Sequence, residues 1–215
     1  YDPQAPMLFS SGLFLFLFAA FAFFYGFMRR TPALRIWYVI AFSLYFYYKS
    51  SGIYLLLLVG VSVSDFWIGR AIAHVGSRRA QRALVALSIA ADLAVLGYFK
   101  YTNFFIEIAR DLFGAGFLEF QNIFLPVGIS FFLFQSLSYT IDIYRGSLKP
   151  VDRWGDYLFY LSFFPQLVAG PIVRARDFLV QIRQNPIAVS REMFGTGIYL
   201  ITIGLFKNCL LYTSP

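Results

Sequence analysis

The sequence predicts an all-α fold, a polytopic transmembrane helical bundle in which some helices are broken or re-entrant. Three observations carry this. First, 59% of the 215 residues are apolar and only 13% are charged, about half the charge of an ordinary soluble domain. Second, the apolar residues gather into uncharged runs of span length, separated by short basic clusters. Third, Pro and Gly interrupt two of those runs. Irregular backbone at membrane depth survives only where protein or a water-lined cavity covers it. The 27 Phe and 15 Tyr exceed what a soluble domain could hide behind a charged exterior.

Residues 7–28 carry no charge, and Arg29, Arg30 and Arg35 follow around Pro32. A signal peptide has the opposite order, with basic residues before its apolar core. The run therefore reads as an anchor whose C-terminal end lies inside. Residues 36–48 form a second run, closed by Lys49 and a tight turn at Ser50-Ser51-Gly52. Residues 53–69 form a third, with Asp65 near its end. The most basic loop follows, holding Arg70, His74, Arg78, Arg79 and Arg82. Residues 83–99 are apolar apart from Asp92.

Residues 100–120 mix charges with Phe104, Phe105 and Leu112. They read as an amphipathic surface segment ending at a turn over residues 114–116. Residues 122–141 are uncharged, with Pro126 and Gly128 loosening their start. Residues 157–173 are uncharged but contain Pro165, Gly170 and Pro171, which predicts a broken or re-entrant helix. Arg174, Arg176 and Arg183 mark an interfacial stretch, and 193–206 form the last run. The positive-inside rule puts Arg29–Arg35, Arg70–Arg82 and Arg145 with Lys149 inside, and residues 49–52 and 100–121 outside. With no internal repeat or linker, the expectation is one membrane domain over residues 1–215.

Counts restrict the chemistry. One Cys (Cys209) and one His (His74) exclude an internal disulfide, a His/Cys zinc set and a Cys–His nucleophile pair. The net charge of +7 reads as loops on an inner membrane face. It does not read as a nucleic-acid surface, because no folded element presents a basic face able to track phosphates. Asp92 is expensive in an apolar span and is expected to pair with a basic or hydroxyl group. His74 reads as an ordinary interfacial side chain and Cys209 as inert.

Two stretches stand out. In Leu125–Gly146, the residues Gln135, Ser138, Tyr139 and Asp142 recur every three or four positions and so share one helical face. A polar stripe in hydrocarbon faces protein or a cavity, either to line a path or merely to bond helices together. In Phe163–Arg174, Gln166 sits between Pro165 and Gly170-Pro171. Such a segment lines a substrate path or is a kinked packing helix.

Together the two stretches closely resemble the signature region of membrane-bound O-acyltransferases. The nearest branch is the bacterial one of alginate O-acetyltransferases and D-alanyl-transfer proteins. Gly97–Phe105 and the basic loop at 70–82 are similar to the family in the same order, so the resemblance covers essentially residues 7–207. It implies an enzyme in which a histidine activates an acceptor hydroxyl against a thioester or related acyl donor. It further implies acetyl transfer to an exported polysaccharide such as alginate, from acetyl-CoA or another acyl carrier. No bound cofactor or metal is implied. The implied setting is the bacterial inner membrane, multi-pass, with a partner acetyltransferase on the outer face.

No residue here matches the family's catalytic histidine, which the resemblance puts in later segments. The chain thus looks like an N-terminal portion of an incomplete fold, inactive alone, and its last residues, 208–215, depart from the family pattern as a possible non-native tail. Gln135, Ser138 and Tyr139 are expected to face a substrate tunnel. Asp142 and Arg145 are expected at its inner mouth, with Arg145 toward an anionic donor or simply anchoring the surface. Pro165, Gln166, Gly170 and Pro171 are expected to form a re-entrant wall. The rival reading is a polytopic transporter or assembly subunit without enzyme activity, which would call for a repeat-related second half. A purely structural scaffold leaves Gln135 and Gln166 with no purpose beyond packing.

Overall fold

The computed structural model describes residues 12–28, 31–113, 119–169, 173–182 and 190–213. Among these there are helices and connecting segments but no strand. Helix α1 covers Gly12–Phe27, α2 Pro32–Ser51 and α3 Leu55–His74. Two stretches, Ala33–His74 and Arg78–Leu112, are long and apolar enough to cross a membrane by length and composition. The first is folded back on itself. Pro32 starts α2 at a position where its missing N–H costs nothing. Gly52 then adopts φ 60°, ψ −131°, a conformation that favours glycine, and one 3-10 turn (Gly52–Tyr54) leads into α3.

The expected third run and basic loop need correction at their boundary. Helix α3 continues through Arg70 to His74, and α4 (Arg78–Leu96) begins at once, so the loop proper is only Val75–Ser77. The Gln81 amide explains the tight reversal. It donates to the carbonyls of Ile72 (3.1 Å) and Val75 (2.9 Å), which the helix end leaves without partners. Residues 100–113 are also continuous with the preceding helix. A π-turn over Gly97–Tyr101 carries α4 straight into α5 (Thr102–Phe113). The expected turn at 114–116 lies outside the described residues. The chain then returns alongside: Asn103 Nδ2 donates to the Gln121 carbonyl and Asn103 Oδ1 accepts from the Gln121 N–H, both at 2.9 Å.

Helix α6 (Ile129–Tyr144) starts later than the uncharged run suggests, because Gly128 holds φ 74° as its N-cap. The Ser51 hydroxyl accepts from the Val127 N–H at 3.0 Å and ties this entry to the α2–α3 turn. Helix α7 (Trp154–Ser162) is followed by the short α8 (Phe164–Ala169). The predicted break falls at Phe163, with ψ 107°. Pro165 sits in the first turn of α8, where it needs no N–H donor. Helix α9 is Ala175–Ile182 and α10 is Arg191–Thr213, so the last run is longer than expected and extends into residues 208–213.

The contacts fix the helix directions. Ser51 meets Val127, Asp65 meets Ser136, and Gly69 faces Tyr139 and Ile143, so α3 and α6 run parallel. Arg82 at the start of α4 meets Tyr144 at the end of α6, so α4 runs against both. Trp37 lies against Gly155 and Ser43 against Phe164, so α2 runs with α7. Arg70, Arg78, Arg82, Arg145 and Arg153 thereby gather at one end of the bundle. The buried core centres on α3, α6 and α7, including Leu58, Phe132, Tyr139, Tyr157 and Leu161. Helix α10 is uncharged from Met193 to Phe206, yet Phe194, Tyr199, Leu200 and Phe206 are all exposed.

Candidate functional site

The centre of the bundle is polar. Asp65 sits near the midpoint of α3, Ser88 near that of α4 and Ser136 near that of α6. All three are buried, at 1% exposure or less. Ser88 Oγ donates to Asp65 Oδ1 at 2.8 Å and lies 3.3 Å from Thr140 Oγ1. Ser136 donates to Asp65 Oδ2 in a short hydrogen bond. Its single proton is then committed, so the Tyr157 hydroxyl, 2.7 Å away, donates to Ser136. The relay Tyr157–Ser136–Asp65–Ser88 thus links four helices through one carboxylate. Apart from it, Trp154 Nε1 ties α7 to α3 by donating to Ser62 Oγ at 3.2 Å.

Asp92 lies one turn beyond Ser88 on the same face of α4 and is buried. The partner expected for it is absent: its Oδ2 has no hydrogen-bond partner among the described residues. Asp142 is likewise buried with an unpaired Oδ2.

The two motif stretches touch through their amides. Gln135 Nε2 on α6 donates to Gln166 Oε1 on α8 at 2.8 Å. Gln135 is 2% exposed, and its own Oε1 is buried with no partner among the described residues. An acceptor oxygen is therefore left at the junction of the broken helix with α6. Ser138 Oγ turns back to the Gln135 carbonyl at 2.9 Å, and Tyr139 is fully buried against Tyr157, with ring centroids 4.4 Å apart. The Tyr139 hydroxyl accepts from the Val151 N–H at 3.2 Å. Gly170 and Pro171 lie outside the described residues.

Two recesses flank this core. One, about 340 Å³, opens at the basic end and is lined by Arg78, Gln81, Tyr144 and Arg145. Arg82 donates to the Tyr144 hydroxyl at 3.2 Å, and the Arg78 guanidinium stacks over the same ring at 5.6 Å. Arg145 is exposed there, while Asp142 is buried one turn before it. The other, about 780 Å³, lies between α1, α2, α8 and α9 and includes Pro165. Neither recess is lined by Gln135, Ser138 or Tyr139. His74 ends α3, exposed, with Nδ1 2.7 Å from the Arg70 carbonyl. Among the described residues no three His, Cys, Asp or Glu side chains converge as metal ligands.

The chain is 36% identical over 211 residues to a probable alginate O-acetylase AlgI of Pseudomonas aeruginosa. The match covers 95% of this chain and 40% of that protein. The Azotobacter vinelandii protein of the same name is 36% identical, with 97% and 42% covered. A peptidoglycan O-acetyltransferase of Helicobacter pylori is 30% identical, with 95% and 44% covered. The chain is homologous to bacterial O-acetylases. The resemblance read from the two motifs therefore holds across nearly the whole chain. The chain spans about two fifths of the length of these curated relatives. No protein-family model matches it, and no solved structure does.

Sequence reasoning missed Ser136, Thr140, Ser88 and Tyr157 as a connected group. Asp65 and Asp92 were the signal, since two carboxylates in apolar runs demand hydroxyl donors nearby.

Proposed function

We propose that this chain forms the N-terminal helices of a multi-pass inner-membrane O-acetyltransferase that esterifies an exported polysaccharide. The observation that carries this is the Gln135–Gln166 contact. It joins the two stretches that resemble the acyltransferase signature, in a chain homologous to proteins named as O-acetylases. The gathering of arginines at one bundle end supports a membrane orientation with that end inside.

In this reading the acceptor hydroxyl loses its proton to a general base and attacks the donor's acyl carbon. The ester forms and the donor's leaving group departs. His74 is exposed at a helix end, bonded to its own helix, and is not that base. The base belongs to residues outside these 215. This chain's part is positioning. The open Gln135 Oε1, with Gln166, orients a polar group at the wall of the path, and Ser138 and Pro165 shape that wall. Tyr139 holds the loop at Val151 in place behind it. Arg145, with Arg78, draws the anionic part of an acetyl-CoA-like or other acyl carrier to the inner mouth, beside Asp142. A partner acetyltransferase on the outer face completes transfer to an alginate-like acceptor.

The test is complementation. A strain deleted for the full-length gene is given the wild type, or Gln135→Leu with Gln166→Leu, and ester-linked acetate on its exported polymer is measured. The double variant is expected to lose most acetylation while its membrane level is unchanged. Wild-type acetylation from that variant, or no acetate dependence on the gene at all, would overturn the reading.

A further inference from the structure

The 780 Å³ recess is a size typical of small-molecule sites. Its walls are Phe18 and Phe21 from α1, Phe163 and Phe164 at the helix break, and Phe178 from α9. One charged group enters it. Arg35 lines the recess and is 92% buried, being 8% exposed. Among the described residues its guanidinium makes no ion pair or side-chain hydrogen bond. A buried, unpaired arginine is costly, and in proteins such a group is paired.

The layout is amphipathic. Phe21 packs on Phe42 at 4.3 Å and Phe14 on Phe46 at 5.5 Å, so α1 and α2 run antiparallel. Arg35 and Tyr25 therefore share the mouth, at the arginine-rich end of the bundle, and Phe18 and Phe164 lie deeper. A cation at the rim with aromatic rings below matches a molecule with an anionic head and a hydrocarbon tail.

We propose that this recess holds an anionic phospholipid from the inner leaflet, its phosphate on Arg35 and one acyl chain among the rings. Neither Gln135 nor Gln166 lines the recess, which meets their junction only through Pro165. It rests on the reading that these helices lie in a bilayer, but not on the enzymatic activity.

The test uses full-length protein purified in mild detergent, with native mass spectrometry counting retained phosphatidylglycerol. Wild type is expected to keep one molecule that phosphatidylcholine does not replace. Arg35→Gln should retain it roughly fivefold less, as one basic contact to an anionic head implies. Arg35→Lys should restore most of it, and Arg79→Gln, exposed at the same end, should change nothing. Ala22→Trp, which fills the recess from an exposed position, should expel the lipid while Arg35 stays intact. No retained lipid in wild type, as when later helices of the full protein fill the recess, would overturn the proposal. Equal retention by Arg35→Gln would do the same. So would thermal protection by inorganic phosphate equal to that by the lipid, which would mark a plain anion site. Protein found in the soluble fraction after lysis would instead sink the bilayer reading.

Discussion

The two sides of this bundle are held by opposite chemistry. On the side of α3, α4, α6 and α7, a carboxylate and three hydroxyls form a closed relay at mid-depth. On the side of α1, α2 and α8, rings do the packing: Phe164 lies 5.1 to 6.3 Å from Phe14, Phe18, Phe21, Phe42 and Phe46. In a bilayer the two are not equivalent. Lipid tails are as apolar as phenyl rings, so they can replace ring contacts at small cost. They cannot replace a hydrogen bond to a buried carboxylate. On the reading that these helices lie in a bilayer, the polar side is the fixed frame and the aromatic side the part able to adjust.

The sharpest break of that frame is at Gly128. Its φ of 74° is left-handed, and an added Cβ would run into the Leu167 carbonyl oxygen. Gly128→Ala carries both the left-handed penalty and a backbone clash, together about 3 kcal/mol or more. It is expected to abolish recovery of monodisperse protein in detergent size-exclusion chromatography. Recovery at wild-type level would mean that α6 and α8 are not in this contact.

Asp65→Ala comes next. It strands the Ser88 and Ser136 hydroxyls, and the expected cost is about 2 kcal/mol, given about 1 kcal/mol or less for each interhelical bond in a membrane plus the unpaired donors. Phe164→Leu removes the ring but keeps most of the apolar volume, and is expected to cost about 1 kcal/mol. Detergent thermal unfolding of the two variants ranks the sides directly. A larger loss from Phe164→Leu than from Asp65→Ala would reverse the comparison.

The aromatic side was the more legible in sequence. Uncharged runs announce α1, α2 and the broken stretch that holds α8 without any knowledge of partners, and Pro32 and Gly52 mark the ends of α2. The polar side was legible only in part. Period-three spacing put Gln135, Tyr139 and Asp142 on one face, and all three are buried. The same rule was silent on Ser136 and Thr140, because a serine in a helix bonds its own backbone as readily as a neighbour. Ser138 does so, bonding the Gln135 carbonyl, while Ser136 reaches across to Asp65. Only the packing of α3 against α6 separates the two. The boundary errors have a similar origin. Arg70 and Arg78 read as loop residues by charge, yet the helix ends reach water, where long basic side chains extend from helical backbone without cost.

Between the two sides stands the Gln135–Gln166 pair, one residue from the relay on α6 and one from Pro165 on α8. If the pair only joins helices, its worth is that of an ordinary interhelical hydrogen bond, about 0.6 to 1.7 kcal/mol. Gln135→Leu and Gln166→Leu, singly and together, measure it as a coupling energy in thermal unfolding. The same three variants in the acetylation assay separate structure from function. A packing role predicts that acetylation tracks the amount of folded protein in each variant. A positioning role predicts a loss per folded molecule that is as deep in Gln135→Leu as in the double variant, since the open Oε1 belongs to Gln135 alone. Gln135→Glu then decides the atom. It keeps an oxygen at that place but loses the donor to Gln166, so activity retained with weakened stability would assign the role to the free oxygen.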